Sequence, residues 1–510
     1  MQFDIPIIAG NLLDMLKFNP EAPMLFSSGL FWLLFIIFLP IYASLKQKRW
    51  KMMLFVIAFS LYFYYKSSGF FFLMLTATSL IDWILSRAIY ASGSKTTKKV
   101  FATISICLSL GILGYFKYAN FFLWNWCEMV NSNFQPLDII LPVGISFYTF
   151  QSISYVIDVY KERITPTNSW AEYLFYLSFF PQLVAGPIVR ADYFLPQLKE
   201  NKPATKEMIY YGLWLIMLGI IKKAIIADYI AQYNDLIFNN PTGYGGFESL
   251  MGVIGYTFQI YCDFSGYSDM AIGLALIMGF HLGENFRLPY QSKNITEFWR
   301  RWHISLSSWL RDYVYIPLGG NRKGKLRKYI NLVITFAISG IWHGSGYKYL
   351  FWGLMHGGYQ VMGEVLSPVK AVVDKKLQLY NHPHLRKGIR TICTFFLVMF
   401  AWIIFRADNL RTGLSMIKSI FTVHNPWILT NDSLFSLGLV WKEFCVLVLC
   451  LIVLLIVGAV QERGIDIKEK ILRCYLPMRW CIYIGAIIFI MIFGTYGYGF
   501  DAQSFIYGGF

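Results

Sequence analysis

The sequence predicts an all-α polytopic membrane protein with about eleven or twelve transmembrane and re-entrant helices. Hydrophobic residues make up 56% of the 510 residues and charged residues only 15%, whereas a soluble globular protein carries about 25% charged residues. Apolar runs that could cross a hydrocarbon core about 30 Å thick recur from residue 24 to residue 496. No soluble module interrupts them, so we expect residues 1–510 to form a single membrane-embedded domain.

The distribution of charge supports the same conclusion. The net charge is +16, but lysine and arginine cluster in short loops between the apolar runs, which is the pattern that the positive-inside rule produces. Because no soluble basic domain is present to carry a nucleic-acid interface, we expect no nucleic acid among the partners. Membrane lipid is expected to surround the protein instead.

The first four predicted spans set the orientation of the chain. Basic residues follow the first and third spans but not the second, so the loops at 46–51 and 92–99 are predicted to be cytoplasmic. Asp82 lies inside the third span, and we expect it to pair with Arg87 or with a group on another helix. The four spans are predicted at residues 24–45, 52–66, 70–91 and 100–122.

Two later segments are not expected to be regular spans. Residues 141–160 contain Gly144 near their start, and residues 172–194 contain Pro181 and Pro187. Proline interrupts a helix, and irregular backbone is tolerated at membrane depth only where protein or a cavity surrounds it. We therefore predict that the first segment is buried in protein and that the second is broken or re-entrant.

Charged residues also occur within the next two predicted spans. Lys222 and Lys223 lie inside one of them, from which their side chains could extend to the cytosolic face. Asp263 and Asp269 lie in the first half of the other, where a carboxylate must be paired, hydrogen-bonded or next to water. These spans are predicted at residues 208–230 and 252–280.

Residues 294–364 carry the candidate chemistry. Two apolar, aromatic-rich segments flank the loop 321–328, in which five of eight residues are basic, so this loop is predicted to be cytoplasmic. His303 precedes the loop and His343 follows it. From Lys328 to His343 there are 15 residues, or about 22 Å of helix. Both imidazoles are therefore predicted to lie well inside the membrane at comparable depth.

The local sequence predicts how the first histidine is presented. Asn294 is a good N-cap, and Glu297 three residues later completes the pattern of a capping box. We predict one helix over residues 295–310, with Trp299 and His303 on the same face because of their i, i+4 spacing.

The second histidine lies among glycines. Gly340, Gly344 and Gly346 would let another backbone or a ligand approach His343 closely. An ionisable group inside a bilayer is a functional candidate by default, and a neutral imidazole is a competent general base near pH 7. A second histidine, here His303, could orient the attacking hydroxyl or stabilise an oxyanion. Acyl transfer needs little else.

Other interpretations of these residues stay open at this point. The two histidines could be structural hydrogen-bonding residues, and His356 is expected to be a packing residue. A zinc site formed by His343, His356 and Asp263 has no HxxxH-type spacing to support it, so we expect no metal. The basic loop is first a topology signal, and it could also dock coenzyme A phosphates or an acidic carrier protein.

Additional transmembrane helices are predicted in residues 365–510. Basic residues precede the first of them and follow the second. The three spans are predicted at residues 392–405, 435–460 and 480–496.

Long strings within residues 141–364 resemble, in order, the membrane-bound O-acyltransferase family, and we interpret this stretch as the family core. The bacterial polysaccharide branch is the most similar, and it includes the alginate O-acetylases and the D-alanyl transferases of teichoic acid. The tail after residue 365 resembles the alginate O-acetylase type. The strings are PVGISFYTFQSISYVIDVY, FFPQLVAGPIVR, YCDFSGYSDMAIGLALIMGF, NFRLPYQSKNITEFWRRWHISLSSWLRDYVYIPLGGNRKG and SGIWHGSGYKYLFWGLMHG.

The resemblance has implications for the fold and the site. It implies a ring of helices around a central funnel that narrows at the catalytic histidine. His343, in the WHG string, matches the catalytic histidine of the family, and His303, in the RWHISLS string, matches its partner. It also implies a cytosolic acyl thioester donor, such as acetyl-CoA, no bound cofactor, and an extracytoplasmic serine-hydrolase-like acetyltransferase as partner.

The expected function follows from these observations together. We expect a multi-pass enzyme of the cell inner membrane that passes an acetyl group across the membrane for O-acetylation of an exported, alginate-like polysaccharide, beside the polysaccharide export machinery. Asp263 and Asp269 could position polar groups in the funnel. One alternative is a D-alanyl transferase acting on teichoic acid type polymers, which would use a carrier-protein donor. An alternative of another class is a non-enzymatic polytopic transporter.

Overall fold

A computed structural model describes residues 14–20 and 22–495, and every regular element in them is helical. Within these described residues, six helical segments are long and apolar enough to cross a membrane: α3, α4, α9 with α10, α17, α19 and α21 in the numbering below. The prediction of an all-α polytopic membrane protein is therefore confirmed. The helices are α1 (Gly29–Leu45), α2 (Arg49–Ser68), α3 (Phe71–Ala91), α4 (Lys95–Met129), α5 (Ile145–Tyr160), α6 (Trp170–Ser178), α7 (Phe180–Leu183), α8 (Ala191–Glu200), α9 (Lys206–Ile221), α10 (Asp228–Asn239), α11 (Gly246–Ile277), α12 (Ile295–Arg301), α13 (Ile304–Leu310), α14 (Gly324–His343), α15 (Tyr347–Val365), α16 (Ser367–Lys376), α17 (Pro383–Arg406), α18 (Leu410–Thr422), α19 (Trp441–Glu462), α20 (Ile467–Leu472) and α21 (Leu476–Phe493), with π-helical segments at Lys222–Ala227 and Arg311–Tyr315.

The described residues form two compact units. The first contains residues up to 216 together with 270–283, and the second contains residues 217–269 and 284–495. The prediction of a single domain over residues 1–510 includes residues outside the described part of the chain and stays a prediction. Both histidines of the candidate site belong to the second unit.

The first unit is built around an aromatic core. Phe180, at the start of α7, is fully buried and packs against rings of both α1 and α2. Its ring centroid lies 5.7 Å from that of Phe38 and 5.1 Å from that of Phe59. Such edge-to-face contacts add to the burial of apolar area. The short helix α7 is thus anchored by its first residue between two longer helices.

The segment predicted to be broken or re-entrant is broken in the structure. Helices α6, α7 and α8 divide it, and its central residues are buried. Gly144, at the start of α5, has φ +77°, and a Cβ there would lie 2.4 Å from the carbonyl oxygen of Leu183. Only glycine combines that backbone conformation with so close a neighbour. Both irregular segments are therefore enclosed by protein, as predicted.

Asp82 is held by two hydroxyl groups on neighbouring helices. Ser105 Oγ donates to one carboxylate oxygen at 2.5 Å, and Ser152 Oγ donates to the other. Arg87 instead donates to the side chain of Asn168 at 3.2 Å. Of the two predicted arrangements, the contact with another helix is the one that forms.

In the second unit, the interior lysines are paired with carboxylates. Lys222 Nζ lies 2.6 Å from Asp269, and Lys223 Nζ lies 2.7 Å from Asp263 and 2.8 Å from Asp228. The expected extension of the lysines to the cytosolic face is wrong, because acids on α10 and α11 hold them inside the unit. A buried charge needs such a partner.

The three predicted C-terminal spans correspond to α17, α19 and α21, although residue 496 lies outside the described residues. An additional helix, α18, follows α17 and was not predicted. Its apolar side is narrow, with Gly413 and Met416 buried and Leu414 and Phe421 exposed. A helix of this kind has too few consecutive apolar residues to resemble a span.

Candidate functional site

His343 ends α14 inside a cluster of aromatic rings. The residue is 2% exposed. Its ring centroid lies 4.8 Å from that of Trp342, 5.0 Å from that of Trp352 on α15, and 5.4 Å from that of Phe405 on α17. All three rings meet the imidazole edge to face. Helices α14, α15 and α17 therefore converge on this imidazole and keep water away from it.

His303 lies at a break between two helices. Its φ is +43°, in the left-handed region that costs an L-residue about 1–2 kcal/mol. Helix α12 ends at Arg301, and α13 begins at Ile304. The prediction of one helix over residues 295–310 is therefore wrong, and so is the shared face of Trp299 and His303 that depended on it.

The break is held by a segment that lies earlier in the chain. The backbone N–H of Arg287 donates to the carbonyl of Arg301 at 2.8 Å, and the N–H of Ile304 donates to the carbonyl of Asn285 at 2.9 Å. These two bonds flank His303 on both sides. They satisfy backbone groups that a continuous helix would have paired internally, so the turn is a defined structure.

The side chain of Asn285 contacts the same histidine. His303 Nδ1 lies 3.1 Å from Asn285 Oδ1, and Ser305 Oγ donates to that oxygen at 2.9 Å. On the other side, Asn285 Nδ2 donates to Ser268 Oγ at 3.0 Å. His303, Asn285 and Ser268 are at most 1% exposed. The imidazole is thus fixed at one nitrogen by a buried polar network.

Trp342 brings the two histidines into one neighbourhood. Its ring centroid lies 6.1 Å from that of His303 and 4.8 Å from that of His343. Phe264 on α11 closes the other side of His303, with centroids 4.7 Å apart. The depth of both histidines in a bilayer stays a prediction, but both are buried next to the same indole.

His356 is a second histidine next to Trp352. The ring of Trp352 is 5.0 Å from that of His343 and 4.8 Å from that of His356. Trp299 Nε1 donates to His356 Nδ1 at 3.3 Å. This contact explains its burial and agrees with the packing role expected from the sequence.

A close approach near His343 is present at two of the three glycines, by backbone at Gly340 and by a side chain at Gly344. A Cβ on Gly340 would lie 2.2 Å from the carbonyl oxygen of Tyr349, and one on Gly344 would lie 2.2 Å from the ring of Tyr349. A Cβ on Gly346 would have no neighbour closer than 3.8 Å. Gly340 and Gly344 thus permit the close contact with Tyr349 on α15.

Comparisons with known proteins identify the family of this chain. The family model of the membrane-bound O-acyltransferase family matches residues 162–406. The chain is 39% identical over 455 residues to the probable alginate O-acetylase AlgI of Pseudomonas aeruginosa, which covers 88% of this chain and 84% of the relative. The chain belongs to the membrane-bound O-acyltransferase family.

Two further relatives show the range of names in the family. The chain is 35% identical over 393 residues to the peptidoglycan O-acetyltransferase of Helicobacter pylori, covering 72% of this chain and 73% of the relative. It is 32% identical over 247 residues to the teichoic acid D-alanyltransferase of Bacillus subtilis, covering 46% of this chain and 62% of the relative. As a member of this family, the protein is an acyltransferase.

The carboxylates that the sequence offered as polar groups in the funnel are each paired with a lysine. Asp263 pairs with Lys223, and Asp269 pairs with Lys222, and their role in the funnel stays a prediction. Within the described residues, no group of three or more histidine, cysteine, aspartate or glutamate side chains is placed to hold a metal ion. The two imidazoles themselves offer acid–base and hydrogen-bonding chemistry.

Sequence reasoning missed several residues that shape the site. Asn285 lies in the NFRLPYQ string, but no spacing rule links it to a histidine 18 positions later. Trp352 and Phe405 likewise reach His343 only because three helices meet. A periodic pattern reports which face of a helix is buried, and it carries no information on which helix lies opposite.

Proposed function

We propose that this acyltransferase passes an acetyl group from a cytosolic thioester donor towards an exported, alginate-like polysaccharide. The comparisons support the acetyl branch over the D-alanyl branch. Relatives named as alginate O-acetylases match 78–88% of the chain in the Pseudomonas aeruginosa and Pseudomonas putida sequences, whereas the Bacillus subtilis D-alanyltransferase matches 46%. The alginate O-acetylases thus match a larger share of this chain than the D-alanyltransferase does. Family membership argues against a non-enzymatic transporter.

His343 is proposed as the general base. The observation that carries this role is the enclosure of its imidazole by Trp342, Trp352 and Phe405 at the end of α14. A base held in a water-excluded site activates a hydroxyl without competition from hydrolysis of the thioester. Its position on a packed helix end also fixes the direction of attack.

The proposed step is acyl transfer from a thioester to a hydroxyl group. The acceptor hydroxyl oxygen attacks the thioester carbonyl carbon while His343 takes the hydroxyl proton. A C–O bond forms, the C–S bond breaks, and the departing thiolate receives the proton from the imidazolium. His303 is proposed to orient the hydroxyl or to stabilise the oxyanion of the tetrahedral intermediate.

Donor, partners and location belong to the same proposal. The basic segment 321–328 is only partly the predicted loop, because its residues from Gly324 onward form the first turns of α14. Acetyl-CoA is the proposed donor, and this segment, exposed at residues 321–327, is a surface on which its phosphates could dock. An extracytoplasmic serine-hydrolase-like acetyltransferase would complete transfer to the sugar beside the export machinery. The enzyme is proposed to lie in the cell inner membrane.

The test compares two histidine variants in cells that export the polysaccharide. His343→Ala should abolish O-acetylation while the membrane level of the protein stays normal. His384→Ala, at an exposed position, should leave O-acetylation unchanged. Near-normal acetylation in His343→Ala would overturn the assignment of the base.

A donor experiment separates the two acyl groups. Membranes that contain the protein are supplied either with radiolabelled acetyl-CoA or with a D-alanyl carrier protein. Label should enter the polysaccharide from acetyl-CoA only, and only when His343 is intact. Incorporation of D-alanine instead would favour the teichoic acid activity.

A further inference from the structure

We infer that Asn285 is a positioning residue that fixes the proton of His303 on Nδ1 and so makes Nε2 a hydrogen-bond acceptor. This inference rests on the proposed function and narrows the role of His303 within it. A neutral imidazole carries its proton on one of two ring nitrogens. The hydrogen-bond partner of one nitrogen therefore decides whether the other donates or accepts a hydrogen bond.

The orientation of the Asn285 amide is set by a group that can only donate. The backbone N–H of Ser305 points at Asn285 Oδ1 from 3.4 Å, and Ser305 Oγ donates to the same atom at 2.9 Å. At the other end of the amide, Nδ2 donates to Ser268 Oγ at 3.0 Å. A flipped amide would place its NH₂ group against the Ser305 N–H. The oxygen must therefore face His303.

The amide oxygen in turn selects the tautomer of the imidazole. An amide oxygen is an acceptor only, and it lies 3.1 Å from His303 Nδ1. If Nδ1 carried a lone pair, two acceptors would face each other in a fully buried position, which costs free energy. With the proton on Nδ1 the contact becomes a hydrogen bond. Nε2 then holds the lone pair.

The backbone makes this arrangement rigid. The carbonyl of Asn285 accepts the N–H of Ile304 at 2.9 Å, so one residue contacts both the main chain next to His303 and its side chain. The left-handed φ of His303 stays populated only where the surroundings hold it. The strained turn aims the ring, and Asn285 sets its proton.

The consequence distinguishes the two roles proposed for His303. A neutral imidazole with its proton on Nδ1 cannot donate from Nε2 to an oxyanion. It accepts a hydrogen bond from the acceptor hydroxyl and orients that hydroxyl for attack. Oxyanion stabilisation must then come from other groups, while His343 stays the proposed base.

Histidine-selective NMR tests the tautomer directly. Full-length protein with ¹⁵N- and ¹³C-labelled histidine is measured in nanodiscs, and the signal of His303 is assigned by its loss in His303→Gln. The spectrum should show a proton on Nδ1 in the wild type. A proton on Nε2 would overturn the inference, whatever the activity of the enzyme.

Kinetics of three asparagine variants test the consequence. Asn285→Ala should lower kcat about 10–100-fold, by analogy with residues that orient a metal-bound histidine, with the donor KM within about twofold. Asn285→Asp keeps an acceptor oxygen and should recover most of the lost kcat. Asn331→Ala removes another buried asparagine, which donates to the carbonyl of Gly320, and should lower thermal stability but not kcat.

Failure of the positioning role and failure of the proposed base give different results. Equal kcat in Asn285→Ala and wild type, or no difference between the Ala and Asp variants, would contradict the positioning role. Full activity of His343→Ala would instead contradict the assignment of the base, and it would leave the NMR result on His303 unaffected.

Discussion

Gly340 on α14 and Gly353 on α15 face each other directly: a Cβ built on either one would lie 3.1 Å from the Cα of the other. The same Cβ on Gly353 would lie 2.2 Å from the carbonyl oxygen of Phe336. The two helices therefore touch through their backbones one turn before His343. Small residues permit this approach between membrane helices.

This contact predicts that Gly353→Ala is destabilising. The added methyl group would meet backbone rather than a flexible side chain, and overpacking of this kind costs about 1–3 kcal/mol. Because the helix that carries His343 must shift, activity should fall as well. Thermal denaturation in detergent and an acetylation assay measure the two effects.

Gly358 on the same helix is the matched control. A Cβ there would have no neighbour within 4 Å, and alanine favours a helix over glycine by about 1 kcal/mol. Gly358→Ala should therefore be neutral or stabilising with normal activity. Equal behaviour of the two variants would show that helix contact is not the cause.

Removal of Lys223 should be among the most destabilising single changes in the second unit. Lys223→Met leaves Asp263 and Asp228 buried without their common cation, and breaking a buried pair in this way costs about 3–5 kcal/mol. The midpoint of thermal unfolding in detergent should fall strongly.

The control is a pair of the same chemistry at the surface. Arg473 and Glu469 form an ion pair with side-chain exposures of 77% and 57%, where such contacts contribute about 0–1 kcal/mol. Arg473→Met should barely change the unfolding midpoint. If Lys223→Met lowered the unfolding midpoint as little as Arg473→Met, water would have to reach the carboxylates of Asp263 and Asp228.

The two histidines that contact Trp352, His343 and His356, should respond differently to the same substitution. His343→Phe removes the proposed base and should abolish acyl transfer with little loss of stability. His356→Phe should retain activity, but it removes the acceptor for Trp299 Nε1. A buried donor without its partner costs about 1–3 kcal/mol, so the unfolding midpoint should fall. Loss of activity in His356→Phe without loss of stability would place His356 in the chemistry.

The cap of α12 should contribute to the stability of the turn at His303. Asn294 Oδ1 accepts the backbone N–H of Glu297 at 2.8 Å, and replacing such a cap by alanine costs about 0.5–2 kcal/mol. Asn294→Ala should lower the unfolding midpoint, whereas Asn294→Ser keeps an acceptor and should retain most of it. Identical midpoints for the two variants would argue against the cap.

The capping pattern shows how far local sequence can predict structure. The predicted N-cap at Asn294 is confirmed, and Glu297 reaches back to the N–H of Lys293, one residue before the cap. The prediction of a continuous helix then failed nine residues later, at His303. The start of a helix depends on neighbouring residues. The break at His303 depends on backbone hydrogen bonds with Asn285 and Arg287, which lie more than ten residues earlier in the chain.

The sequence alone determined the fold class, the order of the apolar helices, the broken segment after α5 and the two histidines of interest. These features depend on hydropathy, proline and short motifs, which are properties of contiguous residues. Only the tertiary structure decided that Lys223 is paired with Asp263 and Asp228, that Trp342 lies next to both histidines, and that Asn285 holds His303. Each of these includes a contact between groups far apart in the chain, Lys223 with Asp263, Trp342 with His303, and Asn285 with His303. Such groups meet only in the folded interior, where a buried charge or ring nitrogen needs a partner within the protein.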